Sequence, residues 1–188
     1  MNIFLKVINK KVMAGVVLSI AAVFFGSSLA ASGDPAIVQK WGSLLFEAKK
    51  VSLCIPVLSP KFPNASMEDA YKVQRYYVQR CLAGKQPPGF KAGLTSVGAQ
   101  KRFGVTEPLS GILLPFTAKN NTIARGTIKR PMIETEIGLV FGKPVSRPLK
   151  DKTELLEHIE YVMPVVELPD LCFDDMKNVK STDIAAVN

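Results

Sequence analysis

Two glutamates, Glu134 and Glu136, lie one residue apart in the largely apolar segment 131–141. Side chains of a strand alternate between two faces, so both carboxylates would point one way and the intervening apolar residues the other. Neighbouring carboxylates repel each other unless water or a cation screens their charges. The spacing therefore predicts either a solvent-exposed acidic face or part of a metal site.

A third glutamate, Glu167, interrupts the apolar run 163–168. Burying a single carboxylate without a partner costs free energy, so this residue is expected to have a partner. Three converging carboxylates would supply the hard oxygen ligands that Mg²⁺ and Mn²⁺ prefer, with positions left open for water and substrate. The sequence thus contains the donor set of one divalent-cation site.

Lys91 lies between small residues in the glycine-flanked segment 89–94. At this place its ammonium group is able to meet an anionic substrate. An exposed lysine beside two turns is the open alternative from these residues alone, because lysine side chains are seldom fully buried.

The sequence offers few signals for catalysis by histidine, serine or cysteine. His158 is the only histidine and lies among charged residues, so we expect a structural or solvent-facing role and no histidine-based triad. The sequence has no Gly-x-Ser-x-Gly, P-loop or dinucleotide-binding motif. Cys54, Cys81 and Cys172 form no C-x-x-C pair, and their odd number leaves at least one thiol over. An oxidising compartment would permit a disulfide, but we interpret the cysteines as small apolar side chains.

Helices are expected to precede strands along the chain. Amphipathic spacing predicts a helix over 35–50, and Ser66 with Asp69 resembles a capping box for a second helix over 67–83. Further elements are expected as strands at 89–94, 111–115, 132–141 and 163–168 and as helices at 97–103 and 152–161. A hairpin near 120–126 is expected to join the strands at 111–115 and 132–141. This order indicates an α+β fold.

The first thirty residues have the pattern of a secretory signal peptide, with lysines, an uncharged apolar run at 12–26 and small residues before Ala31. The run is short for a spanning helix, so a membrane is expected as a partner only if the segment stays uncleaved. We expect a periplasmic or secreted protein. Cleavage would lower the net charge from +8 to +5, because the segment holds three basic and no acidic residues. The remaining charge is dispersed without interleaved aromatics, so nucleic acid is not an expected partner.

Several segments, in this order, resemble the 2-keto-4-pentenoate hydratase family, which includes the 4-oxalocrotonate decarboxylases and has the fumarylacetoacetate hydrolase-like fold. They are Ser66–Gln74, Gly89–Ser96, Phe103–Val105 with Pro108 and Gly111, Glu134–Glu136 and Met163–Glu167. The resemblance covers about 36–188. It implies helices followed by a mixed β-sheet or β-roll.

The resemblance further implies a metal-dependent lyase that hydrates a small 2-oxo or 2-hydroxydienoic acid such as 2-keto-4-pentenoate. Glu134, Glu136 and Glu167 match the family's metal-binding carboxylates, and Lys91 matches its active-site lysine. Mg²⁺ or Mn²⁺ is the implied cofactor, because a divalent cation stabilises negative charge on the substrate's C2 oxygen. A decarboxylase is the alternative, since Leu109 stands where hydratases of the family often have an acidic residue.

Family members read Ala-Asp-Asn and then continue with more strands, whereas this sequence reads Ala186-Val187-Asn188 and stops. We therefore expect a signal peptide at 1–30, a helical part at 31–84 and a β-rich catalytic-type domain at 85–188 that is incomplete at its C-terminal side. A second hypothesis is a truncated, non-catalytic relative that binds a metal or a partner. Assembly into a homo-oligomer stays open.

Overall fold

The computed structural model describes residues 2–5, 35–51, 53–115, 122–123, 126, 128–130 and 132–188, and for residues 2–5 it describes the backbone alone. The helices are α1 (Pro35–Lys50), α2 (Met67–Leu82), α3 (Val97–Phe103), α4 (Lys152–His158) and α5 (Ser181–Val187). The strands are β1 (Asn2–Leu5), β2 (Phe90–Gly93), β3 (Leu109–Ile112), β4 (Glu134–Phe141) and β5 (Ile159–Pro169). This mixture confirms the α+β prediction.

The expected signal peptide lies outside the described residues except for Asn2–Leu5, whose backbone pairs antiparallel with β5. Within the described ranges, the helices lack the combination of length and hydrophobicity that crossing a membrane requires.

Helix α2 has the capping box that the sequence predicts. The Oγ atom of Ser66 accepts a hydrogen bond from the Asp69 backbone N–H at 3.1 Å, and the Asp69 carboxylate accepts one from the Ser66 N–H at 2.9 Å. The bonds to Ser66 lower the pKa of Asp69, as expected when donors favour the ionised form. The helix ends one residue earlier than predicted, because Ala83 already adopts a left-handed conformation with φ of 49°.

The main core forms where α1 and α2 pack together with α5. Trp41 and Val73 are fully buried there, and Trp41 stacks on Phe62 with ring centroids 5.5 Å apart. Ala186 of α5 belongs to the same buried cluster. Helix α5, which has seven residues, was not predicted from the sequence.

The strands form two antiparallel sheets, ordered β1-β5-β4 and β2-β3. The predicted hairpin between the strands at 111–115 and 132–141 is therefore wrong: β3 pairs with β2, and β4 pairs with β5. Strand β5 is longer than predicted and starts directly after α4, because Tyr161 and Val162 favour extended backbone over another helical turn. Its eleven residues give β4 a partner along the whole of its length.

A disulfide joins Cys54 to Cys172, which corrects the interpretation of the cysteines as small apolar residues. The two sulfurs meet because the backbone at Ile55 pairs with the segment after β5: the Ile55 N–H donates to Cys172 O at 2.6 Å. Cys81 is a free thiol, as the odd number of cysteines requires. The pair could not be chosen from sequence, since three cysteines allow three pairings and 118 positions separate these two.

Candidate functional site

The structure brings together the four residues that the sequence singled out. Glu134, Glu136 and Glu167 each place a carboxylate oxygen within 4.8 Å of those of the other two. Lys91 Nζ lies 3.5 Å from Glu167 Oε1. These four residues are called the carboxylate–lysine cluster below.

Strand geometry explains why the three carboxylates converge. Glu134 lies directly opposite Glu167 in the β4–β5 register, so their side chains share one face, and Glu136 follows two positions later on the same face. The side chains that alternate with them point outward: Ile137 is 74% exposed and Leu139 is also exposed. The acidic face is thus turned inward and the apolar face outward, which is unusual for a sheet with one buried side.

Lys91 reaches the cluster from the smaller sheet, across β3. It lies opposite Gly111 in the β2–β3 register, and its side chain is only 5% exposed. A Cβ atom on Gly111 would lie 2.7 Å from Lys91 Cε and 3.0 Å from Cγ. Glycine is therefore needed at position 111, because any larger residue would occupy the space of the lysine stem.

Burial dominates the electrostatics of the cluster. It lowers the pKa of Lys91 to about 8, against the opposing charges of Glu167 and Glu134. Burial also raises the pKa of Glu167. The positive charge of Lys91 opposes this rise, and the negative charges of Glu134 and Glu136 add to it. Three carboxylates facing one ammonium group leave an excess of negative charge when all are ionised, so the cluster favours an additional cation.

The residues present fit a hard divalent cation. Glu167 is only 4% exposed, yet its Oε1 has no hydrogen-bond partner among the described residues, and the same holds for Lys91 Nζ. A buried carboxylate oxygen that accepts no hydrogen bond is costly even with a counter-ion 3.5 Å away, and a cation ligand is one way to compensate it. The donor set consists of carboxylate oxygens, which suit Mg²⁺ and Mn²⁺.

Other residues discussed from sequence lie outside the cluster. His158 ends α4, where its Nδ1 contacts Glu154 O at 2.8 Å, consistent with a structural role. Leu109 is buried at the start of β3.

Sequence reasoning missed two carboxamides behind the cluster, Gln74 and Asn188. Gln74 Nε2 donates to Ser110 O at 2.9 Å, and the Asn188 side chain bonds the backbone of Ile112. Gln74 gave a signal that could have been used, since it follows buried Ala70 by four positions and so occupies an apolar helix stripe. For Asn188 the only signal in the sequence is the Ala-x-Asn pattern, which does not show that its side chain would bond the backbone of Ile112.

No protein-family model matches this chain. Among curated proteins it is 33% identical over 147 residues to the 2-keto-4-pentenoate hydratase of Paraburkholderia xenovorans (strain LB400), covering 77% of this chain and 54% of that protein. It is 34% identical over 129 residues to the 2-oxo-hept-4-ene-1,7-dioate hydratase of Escherichia coli, covering 67% and 48%. It is 29% identical over 126 residues to the 4-oxalocrotonate decarboxylase of Pseudomonas sp. (strain CF600), covering 65% and 48%. The chain thus spans about half the length of these relatives.

A solved structure shares the fold. The 4-oxalocrotonate decarboxylase from Pseudomonas putida G7, complexed with magnesium and adipate, superposes with a TM-score of 0.73 at 24% identity. The match covers 85% of this chain and 61% of that one. The predicted fold is therefore confirmed.

Proposed function

This chain belongs to the family of the 2-keto-4-pentenoate hydratases and 4-oxalocrotonate decarboxylases, and we propose that it is a lyase acting on a small 2-oxo acid. The carboxylate–lysine cluster is the observation that carries this proposal. It combines three hard oxygen ligands with a buried ammonium group 3.5 Å from one of them. Such a set suits an anionic substrate that develops further negative charge during reaction.

The specific proposal is the hydration of a 2-hydroxydienoate, the enol form of 2-keto-4-pentenoate. Glu134, Glu136 and Glu167 would hold Mg²⁺ or Mn²⁺. When bound, such a cation supplies positive charge that stabilises negative charge on the substrate's C2 oxygen. The inward-facing strand positions of the glutamates fix the donor oxygens before substrate arrives, which is the preorganisation that catalysis by charge stabilisation needs.

Lys91 has the proton-transfer role in this proposal. Burial brings the pKa of Lys91 to about 8, so its ammonium group can both hold and release a proton near neutral pH. Protonation of the terminal carbon of the dienoate, with loss of the 2-hydroxyl proton, gives a conjugated enone. Water then adds to the β-carbon of that enone, and the α-carbon takes up a proton.

The test is a turnover assay of the purified chain with 2-hydroxypenta-2,4-dienoate. We expect the dienol absorbance to disappear with Mg²⁺ present, and EDTA to slow the reaction about a hundredfold or more, as loss of several kcal/mol of charge stabilisation requires. A parallel arm with 4-oxalocrotonate measures carbon dioxide release and separates decarboxylation from hydration.

The same assay separates the non-catalytic alternative. A thermal shift with Mg²⁺ but no turnover on either substrate would favour a relative that binds a metal without catalysis. Neither turnover nor a Mg²⁺-dependent thermal shift would contradict the proposed function altogether.

We also propose that the chain works outside the cytoplasm. Two features support this: the signal-peptide pattern of the first thirty residues and the Cys54–Cys172 disulfide, a bond typical of oxidising compartments. In a Gram-negative expression host, protein from the periplasmic fraction is expected to begin at Ala31 and to hold that disulfide oxidised. A full-length chain in the cytosol with three free thiols would contradict the proposal.

A further inference from the structure

Among the residues that the structure describes, β3 pairs with β2 on one side, and side chains meet its other edge. The Ser110 N–H donates to Tyr71 Oη at 3.1 Å. Gln74 Nε2 donates to Ser110 O at 2.9 Å and to Ala185 O at 2.8 Å, which ties β3 to both α2 and α5. The backbone groups of an edge strand ordinarily bond water or another strand, so this side-chain cover is a specific feature of β3.

Asn188 completes this cover. Its Nδ2 donates to Ile112 O at 2.5 Å, and the Ile112 N–H donates to its Oδ1. One carboxamide thus satisfies both backbone groups of one residue, as a neighbouring antiparallel strand would.

Asn188 and the Lys91 stem lie beside the same small space on β3. A Cβ atom built on Gly111 would meet Lys91 Cε at 2.7 Å and Asn188 Oδ1 at 3.1 Å. The carboxamide and the lysine stem therefore flank Gly111 on one face of the strand. A displacement of β3 at this point would move the surface on which the lysine stem rests.

The ammonium group of Lys91 depends on that surface. Its Nζ has no hydrogen-bond partner in the part of the chain that the structure describes, and its ion pair with Glu167 is 3.5 Å long. The position of the ammonium group therefore depends on this long ion pair and on the packing of the lysine stem.

We propose that Asn188 is a positioning residue for Lys91. By binding the backbone of Ile112 it fixes β3 beneath the lysine stem and so sets where the ammonium group stands relative to Glu167. The consequence for turnover rests on the proposed lyase function, whereas the consequence for the location of Lys91 does not.

The test compares Asn188→Ala with Asn188→Asp. Alanine removes both hydrogen bonds, whereas aspartate keeps the shape and the acceptor but replaces the donor to Ile112 O by a carboxylate oxygen. Asn178→Ala is the matched control, because Asn178 is exposed and its side chain donates to nearby Asp175, away from β3. The readouts are the ¹³Cε signal of Lys91 in the full chain, assigned by its absence from Lys91→Arg, together with kcat, KM and the melting temperature.

Both Asn188 variants are expected to move the Lys91 signal and to lower kcat about tenfold to a hundredfold with little change in KM, the size expected for a catalytic group displaced by about 1 Å. Asn178→Ala should leave both at wild-type values. If the Asn188 variants move the Lys91 signal but the wild-type chain shows no turnover, the positioning role is supported and the proposed function is contradicted.

An unmoved Lys91 signal in folded Asn188→Asp, or wild-type kcat in that variant, would overturn the proposal. If Asn188→Ala does not fold, Asn188→Asp decides. If neither folds, Asn188 is a structural residue and the proposal fails.

Discussion

Replacing Glu136 by alanine is expected to reduce metal-dependent turnover roughly a thousandfold and to remove the Mg²⁺-dependent rise in melting temperature. Glu136 supplies one of three carboxylates whose oxygens lie within 4.8 Å of one another. Losing one ligand of three would forfeit several kcal/mol of charge stabilisation, and each 1.36 kcal/mol corresponds to a factor of ten in rate.

Glu136 is the most informative of the three glutamates for this test. Glu167 forms an ion pair with Lys91, so its removal would leave a buried ammonium without its counter-ion and would confuse a catalytic effect with an unfolding effect. Removing Glu136 leaves that pair in place and relieves repulsion between neighbouring carboxylates. The fold should therefore survive, with a melting temperature without metal equal to or above that of the wild type.

The measurement combines turnover with melting curves at increasing Mg²⁺ concentration. Glu157→Ala is the matched control, since Glu157 is an exposed glutamate of α4, outside the cluster. A Glu136→Ala variant that keeps its Mg²⁺-dependent thermal shift would show that the three carboxylates do not form one cation site. Turnover within about threefold of wild type would contradict metal-dependent catalysis through this cluster.

The candidate site was accessible from sequence because its signals are local. Glu134 and Glu136 show the two-residue period of a strand, and Glu167 is a single acid in an apolar run. Each pattern is complete within a few residues and needs no knowledge of the fold. Their convergence with Lys91 followed from the family resemblance rather than from spacing.

The parts that sequence did not reveal depend on contacts between distant residues. The Cys54–Cys172 disulfide and the bonds of Asn188 to Ile112 join positions 118 and 76 residues apart. Apart from the Ala-x-Asn pattern, nothing in the sequence near Asn188 distinguishes it from a solvated asparagine until α5 packs against α2 and β3. The hairpin prediction was wrong for the same reason, because contacts between strands that are distant in sequence, and not the connecting loop alone, determine which strands pair.

One buried carboxylate of α5, that of Asp183, accepts backbone hydrogen bonds from the segment before α2, and we expect its removal to lower the stability of the fold strongly. Asp183 is 1% exposed. Its Oδ1 accepts the backbone N–H groups of Leu58 and Ser59, both at 2.9 Å, and its Oδ2 accepts that of Lys180 at 3.0 Å. Because α5 also carries Ala185, the acceptor of Gln74, this carboxylate supports the side-chain cover of β3 from a distance.

Replacing Asp183 by alanine is expected to lower the free energy of unfolding by about 4 kcal/mol, since three backbone donors lose a charged acceptor and each unsatisfied buried group costs roughly 1–3 kcal/mol. Asp183→Asn should lose less, because its remaining oxygen can still accept from Leu58 and Ser59. Urea unfolding followed by circular dichroism measures both, with exposed Asp175→Ala as the control. A loss of less than about 1 kcal/mol in Asp183→Ala would be within the range of ordinary single hydrogen bonds. It would mean that apolar packing of Ala186 and Val187, rather than the buried carboxylate, docks α5 against the core.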